Sequence, residues 1–432
     1  MVESVNRNIA NAAKNLSAMK ICFFTENYYK GGLDTFLINL FNAWPDSQDK
    51  LTLVCNSTHP GLETIAEKTV RPIRINRYNR VFTSKIAQGR SPVRFSQSFL
   101  VRAFFGLAFR VLQYPVLFPW YLFTLTLFFR GSDFDRLMVV NGGYPASLLC
   151  RCAAIAWRLS GKRPLATFNF HSSATSSPWC FRGFENVIDR FVIQSSSQIV
   201  GVSKACINTL SNRNSFLGCT KLTYIFNGIV DPAIRSESTD MSYKHQKFDK
   251  YCLMLATYTS YKGHSFLFEA FRNVLTEFPD MRLQIFGFGT PKEKKRVADE
   301  VKRFGLEQRV MLNDFTSKTA VLLSNASLLV VPSQAYESFG LTIIEAMAFG
   351  TPVVTTDVGG MPEVLADSRA GYVCSKDDPI LFAEAMKNIL GNPSLASQLG
   401  RNGRQFFEQR FTADTMACNY RSLIEGVNER KS

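Results

Sequence analysis

Glu337 and Glu345 stand with seven residues between them in the run Tyr336-Glu337-Ser338-Phe339-Gly340-Leu341-Thr342-Ile343-Ile344-Glu345. The run follows an apolar stretch, Leu328 to Val331, that reads as a strand. A helix begins near Gly340 or Leu341 and ends at Phe349, because Gly350 is a good terminator and Pro352 cannot continue it. Strand, loop and helix in that order put the loop at the carboxyl end of a strand, where open α/β sheets bind ligands. The helix start offers free N–H groups and a partial positive charge to a phosphate. Two carboxylates on either side of such a start would flank a diphosphate without touching it. They suit hydrogen bonds to sugar and ribose hydroxyls.

Pro332-Ser333 precedes the pair, Glu345-Ala346-Met347-Ala348-Phe349-Gly350-Thr351-Pro352-Val353-Val354 follows it, and Asp357-Val358-Gly359-Gly360-Met361-Pro362-Glu363-Val364 comes next. This block resembles the E-x7-E region of the retaining glycosyltransferases of family 4, which have the GT-B fold. The resemblance implies that Glu345 contacts the nucleotide ribose and Glu337 the donor sugar. It implies that Ser338, Phe339, Gly340, Leu341 and Thr342 form the donor-binding loop and helix start between them. Tyr261-Lys262-Gly263-His264 matches the family's Lys-Gly, whose lysine holds the donor diphosphate. A cation there would stabilise charge building on the leaving group. One departure stands out: the family's arginine five residues before that lysine is Thr257 here, which supplies no charge.

Ile285-Phe286-Gly287-Phe288-Gly289 resembles the family's turn that lets backbone approach the nucleotide. Asn313-Asp314-Phe315 follows the next strand, where family members bind the base. In the first half, Gly31-Gly32 resembles the Gly-Gly loop that lets the diphosphate sit against backbone. His171 closes the apolar run Leu165 to Phe170, where the family has a histidine near the donor sugar. Val202-Ser203-Lys204-Ala205 and Asn227-Gly228-Ile229 match further family turns. The resemblance covers most of Met19 to Val427 and is loose from Pro60 to Arg130.

Elements able to position these residues are legible around them. From Met19 short apolar runs alternate with amphipathic stretches, as in parallel α/β domains. Strands are expected at Lys20–Phe24, Leu51–Cys55, Arg136–Val140, Leu165–Phe170, Gln198–Val202 and Leu222–Phe226. A helix with apolar Phe36, Ile38, Leu40 and Phe41 is expected over Asp34–Trp44. A second series places strands at Cys252–Ala256, Arg282–Phe286, Val310–Leu312, Leu328–Val331 and Pro352–Thr355. The polar stretch Arg235 to Lys250 reads as the linker. Two such series predict two Rossmann-like, doubly wound domains facing across a cleft. Residues 1–18 read as an extension without the apolar core of a signal peptide, 19–240 as the acceptor domain, 241–411 as the donor domain, and 412–432 as a terminal helix and tail.

The chain has 46% hydrophobic residues, which excludes a disordered protein, and a net charge of +15, which favours an anionic partner. Its ten cysteines are scattered with no CxxC pair, and its four histidines lack zinc-ligand spacing. Reduced thiols, a cytoplasmic location and no catalytic metal are therefore expected. Asp133-Phe134-Asp135 has the look of a metal-binding Asp-x-Asp, but it merely precedes a strand. From Val111 to Phe129 there are 19 residues without a charge, with Arg90, Arg94, Arg102 and Arg110 before them and Arg130 after. Pro115 and Pro119 argue against a membrane span. Two readings of Phe99 to Phe129 stay open: a buried core helix, or an apolar surface lying on acidic lipid.

The resemblance implies sugar transfer from a nucleotide-diphosphate sugar, with retention and without cofactor. The charge and the Phe-rich stretch point to a lipid-linked or glycan acceptor and a peripheral place on the inner face of the membrane, with no nucleic acid. The alternatives are a nucleotide-sugar epimerase of the same fold and a non-catalytic basic membrane-binding protein.

Overall fold

The computed structural model describes residues 18–78, 113–177, 179–232 and 250–426. The first domain runs β1 (Lys20–Thr25), α1 (Gly32–Asn42), β2 (Lys50–Asn56), α2 (Leu62–Lys68), β3 (Arg74–Tyr78), α3 (Phe118–Arg130) and β4 (Arg136–Asn141). It continues α4 (Leu148–Leu159), β5 (Ala166–Phe170), α5 (Arg182–Ser195), β6 (Ser196–Gly201), α6 (Lys204–Asn208) and β7 (Leu222–Tyr224). The second domain runs β8 (Tyr251–Leu255), α7 (His264–Leu275), β9 (Arg282–Phe286), α8 (Pro291–Arg303), β10 (Val310–Asn313), α9 (Thr319–Asn325) and β11 (Leu328–Val331). It ends with α10 (Leu341–Ala348), β12 (Val353–Thr356), α11 (Met361–Leu365), β13 (Gly371–Cys374), α12 (Pro379–Gly391) and α13 (Pro393–Arg410). A last helix, α14 (Ala413–Glu425), follows.

The strands form a seven-stranded sheet, β3-β2-β1-β4-β5-β6-β7, and a six-stranded sheet, β10-β9-β8-β11-β12-β13. All pairings within both sheets are parallel. Parallel strands covered on both faces need continuous apolar runs, and β1 supplies one in Ile21, Cys22, Phe23 and Phe24, all fully buried. Helix α1 lays Phe36, Leu37, Leu40 and Phe41 on that sheet. In each sheet the strand order reverses once, between β1 and β4 and between β8 and β11. Crevices for ligands open at those points, beyond the strands' carboxyl ends.

The doubly wound architecture is as expected, and the runs read as strands are strands, with edges shifted by a residue or two. Two edge strands are additional. β3 (RINRY) mixes polar and apolar residues and lies at one sheet edge; β13 (GYVC) is short and lies at the other sheet's edge. The terminal helix is not a free appendage. α14 packs Met416, Tyr420 and Ile424 into the first domain's core, and Arg421 pairs with Asp49 at 2.9 Å and Asp46 at 2.6 Å. The N-terminal extension through residue 17 and the linker residues 235–249 lie outside the described residues.

Residues 99–112 of the Phe-rich stretch, together with Arg90 and Arg94, also lie outside them, and so Arg102 and Arg110 do too. The remainder is a short π-helical turn, Gln113–Leu117, leading into α3. Pro119 sits in the first turn of α3, where its missing N–H costs nothing. Tyr121, Thr124, Leu125 and Phe129 face inward and are buried. Val116, Trp120, Phe123 and Leu127 recur at helical spacing on the other side and are 53%, 45%, 60% and 47% exposed. Core helix and apolar surface are thus two faces of one element. Among the described residues no helix is long and apolar enough to cross a membrane.

Candidate active site

A cavity of about 350 Å³ lies between the domains, at both reversal points. The first domain lines it with Gly32 after β1, Gly142 after β4, His171 after β5, and Asn227. The second lines it with the ends of β8 and β11, Lys262, and the loop and helix start from Pro332 to Thr342.

Lys262 ends a 3-10 turn, Ser260–Lys262, after β8. Gly263 follows with a left-handed φ of +80°, and a Cβ there would lie 1.8 Å from the Pro332 carbonyl oxygen. Only glycine lets this turn close on the end of β11. That approach brings the Lys262 Nζ into an ion pair with the Glu337 carboxylate. Both side chains keep some exposure to the cavity, 19% and 22%. The same loop continues through Ser338 and buried Phe339 to Gly340, whose φ of +94° caps α10 without a side-chain bond. The N–H of Ile343 bonds back to the Gly340 carbonyl at 3.0 Å, while those of Leu341 and Thr342, which line the cavity, precede the first intrahelical bond.

Glu345 lies one turn deeper in α10 and is not among the residues lining the cavity. It has no hydrogen-bond or ion-pair partner among the described residues, and burial pushes its carboxyl up to about 7. A carboxylate without a donor in so dry a place is costly in its charged form.

Across the cleft, the ring of His171 packs on Phe36 at 4.1 Å between centroids. Its Nε2 is buried without a partner among the described residues, and burial lowers the imidazole to about 3. It is neutral at physiological pH. Gly31 and Gly32 start α1, where Asp34 Oδ2 accepts from the Gly31 N–H at 3.0 Å and Oδ1 from Asn27 Nδ2 at 3.3 Å. Gly32 lines the cavity and Gly31 does not. Gly287 is also off the wall. A Cβ on it would lie 1.7 Å from the carbonyl oxygen of Ala256, which does line the cavity. Its part is to let the ends of β8 and β9 close.

The structure thus gathers Gly32, His171, Lys262, Glu337, Ser338, Phe339, Gly340, Leu341 and Thr342 around one cavity, with Gly31, Gly287 and Glu345 outside its lining. Sequence reasoning does not place Gly142 or Ser333 in the site, nor give Asn227 a part there. Ser333 Oγ and Asn227 Oδ1 are buried and have no partner among the described residues. Gly142 directly follows β4, and its N–H donates to Asn141 Oδ1 at 3.1 Å. Only the strand-end position of Gly142 could have signalled it. Among the described residues, Lys262 is the one cation lining the cavity. Thr257, in the arginine position, bonds Thr259 hydroxyl to hydroxyl at 2.9 Å. Asp133 pairs with Lys20 at 2.8 Å, and Asp135 accepts the Lys20 N–H at 2.8 Å, so both acids serve the entry to β1.

A sequence profile of the family described as Glycosyl transferases group 1 matches residues 237–406. The chain is 25% identical over 325 residues to N-acetyl-alpha-D-glucosaminyl L-malate synthase of Bacillus anthracis, covering 74% of this chain and 82% of that one. It is 32% identical over 138 residues to the alpha-1,3/1,6-mannosyltransferase ALG2 of Dictyostelium discoideum, covering 30% of this chain and 31% of that one. Among solved structures, a glycosyltransferase from Rickettsia africae superposes with a TM-score of 0.73 at 15% identity, over 96% of this chain and 100% of that one. Anabaena Alr3699/HepE in complex with UDP gives 0.67 at 18% identity, over 94% and 100%. At these identities the structural likeness speaks for the fold.

Proposed function

We propose that the chain is a group 1 glycosyltransferase with the GT-B fold, whose interdomain cavity takes a nucleotide-diphosphate sugar and passes the sugar to an acceptor hydroxyl with retention of configuration. The observation that carries this reading is the meeting of Lys262, Glu337 and the open start of α10 at one cavity, opposite Gly32 and His171. In this reading the diphosphate lies against the N–H groups of α10 and the Gly31-Gly32 loop, and Lys262 leaves Glu337 to hold it. Glu337, released, accepts from donor-sugar hydroxyls. His171 offers an uncharged ring nitrogen to the sugar. Glu345 accepts from the ribose. The neighbouring Anabaena protein has been solved with UDP, with UDP and glucose, and with UDP-glucose, which supports a donor of this class.

In the transfer step the bond from the anomeric carbon to the diphosphate oxygen breaks, and the acceptor oxygen bonds that carbon from the same face. The sugar passes through an oxocarbenium-like state. The departing diphosphate takes the acceptor proton, and Lys262 with the backbone N–H groups stabilises its charge. We assign no metal and no enzyme nucleophile to this step. With Thr257 in the arginine position, the diphosphate is held by one cation.

The exposed face of α3 supports a lipid-linked acceptor. Its apolar row is joined through Tyr114, which stacks on Phe184 at 5.5 Å, to a second exposed row on α5: Phe184, Val187 and Phe191, flanked by Arg182 and Arg190. In this reading the first domain rests peripherally on acidic lipid at the inner face of the membrane.

The test is product analysis by NMR with a chelator present. Release of nucleoside diphosphate together with an acceptor glycoside of unchanged anomeric configuration is expected. An inverted product, or turnover of the nucleotide sugar with no acceptor, would replace transfer with retention by another chemistry, the second result being that of an epimerase.

A further inference from the structure

The donor loop is gripped from both domains. Gly359 has a φ of +61°, and a Cβ there would lie 2.0 Å from the Glu337 carbonyl oxygen. The Gly360 N–H donates to that same oxygen at 2.8 Å. A Cβ on Gly360 would meet the Ser338 carbonyl oxygen at 2.4 Å and Ser203 Oγ at 2.8 Å. The two glycines therefore let α11 and its approach lie flat on the backbone of Glu337 and Ser338, with Ser203 of the first domain pressed against the same spot. Ser203 Oγ donates to the Ser338 carbonyl at 2.7 Å.

Glu363, on α11, reaches across the domain boundary. Its Oε2 accepts from the Lys204 N–H at 2.8 Å and its Oε1 from the Ala205 N–H. Those amides begin α6, so no carbonyl inside the helix can take them. Both carboxylate oxygens are used, on two successive N–H groups of the opposite domain. When the cleft opens, all three cross-domain bonds must exchange for water. Hydrogen bonds to a charged group exchange at modest net gain, so such a contact is reversible.

We propose that Glu363 is a positioning residue: with Ser203 it latches the domains in the closed arrangement and thereby fixes Glu337 and Ser338 at the cavity. This rests on the donor reading of those two residues. Entry of donor and exit of product require opening, and a latch of limited strength permits it. A ligand that binds only the closed form then loses apparent affinity in proportion to the closed fraction.

The experiment compares wild type with Glu363→Ala, Glu363→Gln and Ser203→Ala, using small-angle scattering of the ligand-free proteins, calorimetric titration with UDP as probe, and thermal melts. Glu363→Ala is expected to show a larger radius of gyration and UDP affinity weakened on the order of tenfold, with the wild-type radius restored at saturating UDP. Glu363→Gln keeps one acceptor and should fall between, and Ser203→Ala should shift in the same direction. Wild-type radius and affinity in Glu363→Ala would overturn the proposal. So would a lowered melting temperature with an unchanged radius, which marks a merely structural contact. If UDP binds neither wild type nor variants, the choice of donor fails, while the ligand-free radii still decide the latch.

Discussion

Lys262 and Glu337 neutralise one another at the cavity, and this sets the terms on which a donor enters. A diphosphate brings more negative charge than Glu337 and can draw Lys262 away, freeing the carboxylate for hydroxyl groups. Lys262→Ala should lower kcat by about 10²–10³, the effect of removing one donor to a developing anion. Steady-state kinetics at saturating donor checks it, and an unchanged kcat would take Lys262 out of the leaving-group site. Glu345 makes a second prediction, through pH. Its carboxyl, raised to about 7 by burial, holds a proton in the folded chain that the unfolded chain has released. That group's contribution to stability is full below the ordinary carboxylate range and is lost as pH rises through about 7. Glu345→Gln mimics the protonated form, so it should be more stable than wild type at pH 8 by about 1–3 kcal/mol and equal to it at pH 4. Melts at the two pH values decide this, and equal stability at pH 8 would contradict the burial argument. The pair Glu337 and Glu345 was legible because its strand, loop and helix are contiguous in sequence. Ser333, Asn227 and Gly142 were not, since their only signal is a place at the end of a strand.

At the scale of elements, glycine sets how closely the loops approach. Gly263 combines a left-handed φ with a near contact to Pro332, so Gly263→Ala should cost at least about 2 kcal/mol and should misplace Lys262. Denaturant melts together with donor KM test this; a stable variant with unchanged KM would show that the turn tolerates a side chain. Helix α3 carries the membrane question. Its inward face was readable as core and its outward face as lipid-binding, and composition alone could not divide them, because apolar residues occupy both. The structure separates the faces by helical phase. Phe123→Glu with Leu127→Glu should leave the melting temperature within about 2 °C, since both side chains are exposed, and should abolish flotation on acidic vesicles. Flotation equal to that of wild type would leave that face with another role. Strands β3 and β13 escaped the sequence because edge strands do not need the unbroken apolar runs that mark β1 or β11.

Over the whole molecule, the two sheets are tied by a helix whose sequence belongs to the end of one domain and whose contacts belong to the other. α14 joins the first core through Tyr420, which accepts from Asn169 at 2.6 Å, and through Arg421. The boundary at residue 411 marks a change in sequence pattern, and the packing crosses it. Only the tertiary fold could show this, because Met416, Tyr420 and Ile424 read simply as one amphipathic face. Two histidines contribute to the acid sensitivity of the molecule. Burial lowers His171 to about 3 and His264 to about 4, whereas the unfolded chain takes up protons near 6.5. Their contribution to stability is full above 6.5 and is lost as pH falls through those lowered values. Thermal melts should decline from pH 6.5 toward 4.5, and His264→Phe should decline less steeply. An equal slope would exclude His264 as a contributor.

The account turns on a nucleotide diphosphate occupying the cavity between the sheets. Calorimetric titration of the full chain with a panel of nucleoside diphosphates, in the presence of a chelator, tests it most directly. One nucleotide is predicted to bind with unit stoichiometry, and at pH 8, where Glu345 is ionised, Lys262→Ala and Glu345→Gln should each weaken it by at least about tenfold, the loss of one charged hydrogen bond. Binding that needs an added divalent ion, binding unaffected by both substitutions, or no binding across the panel would contradict the account.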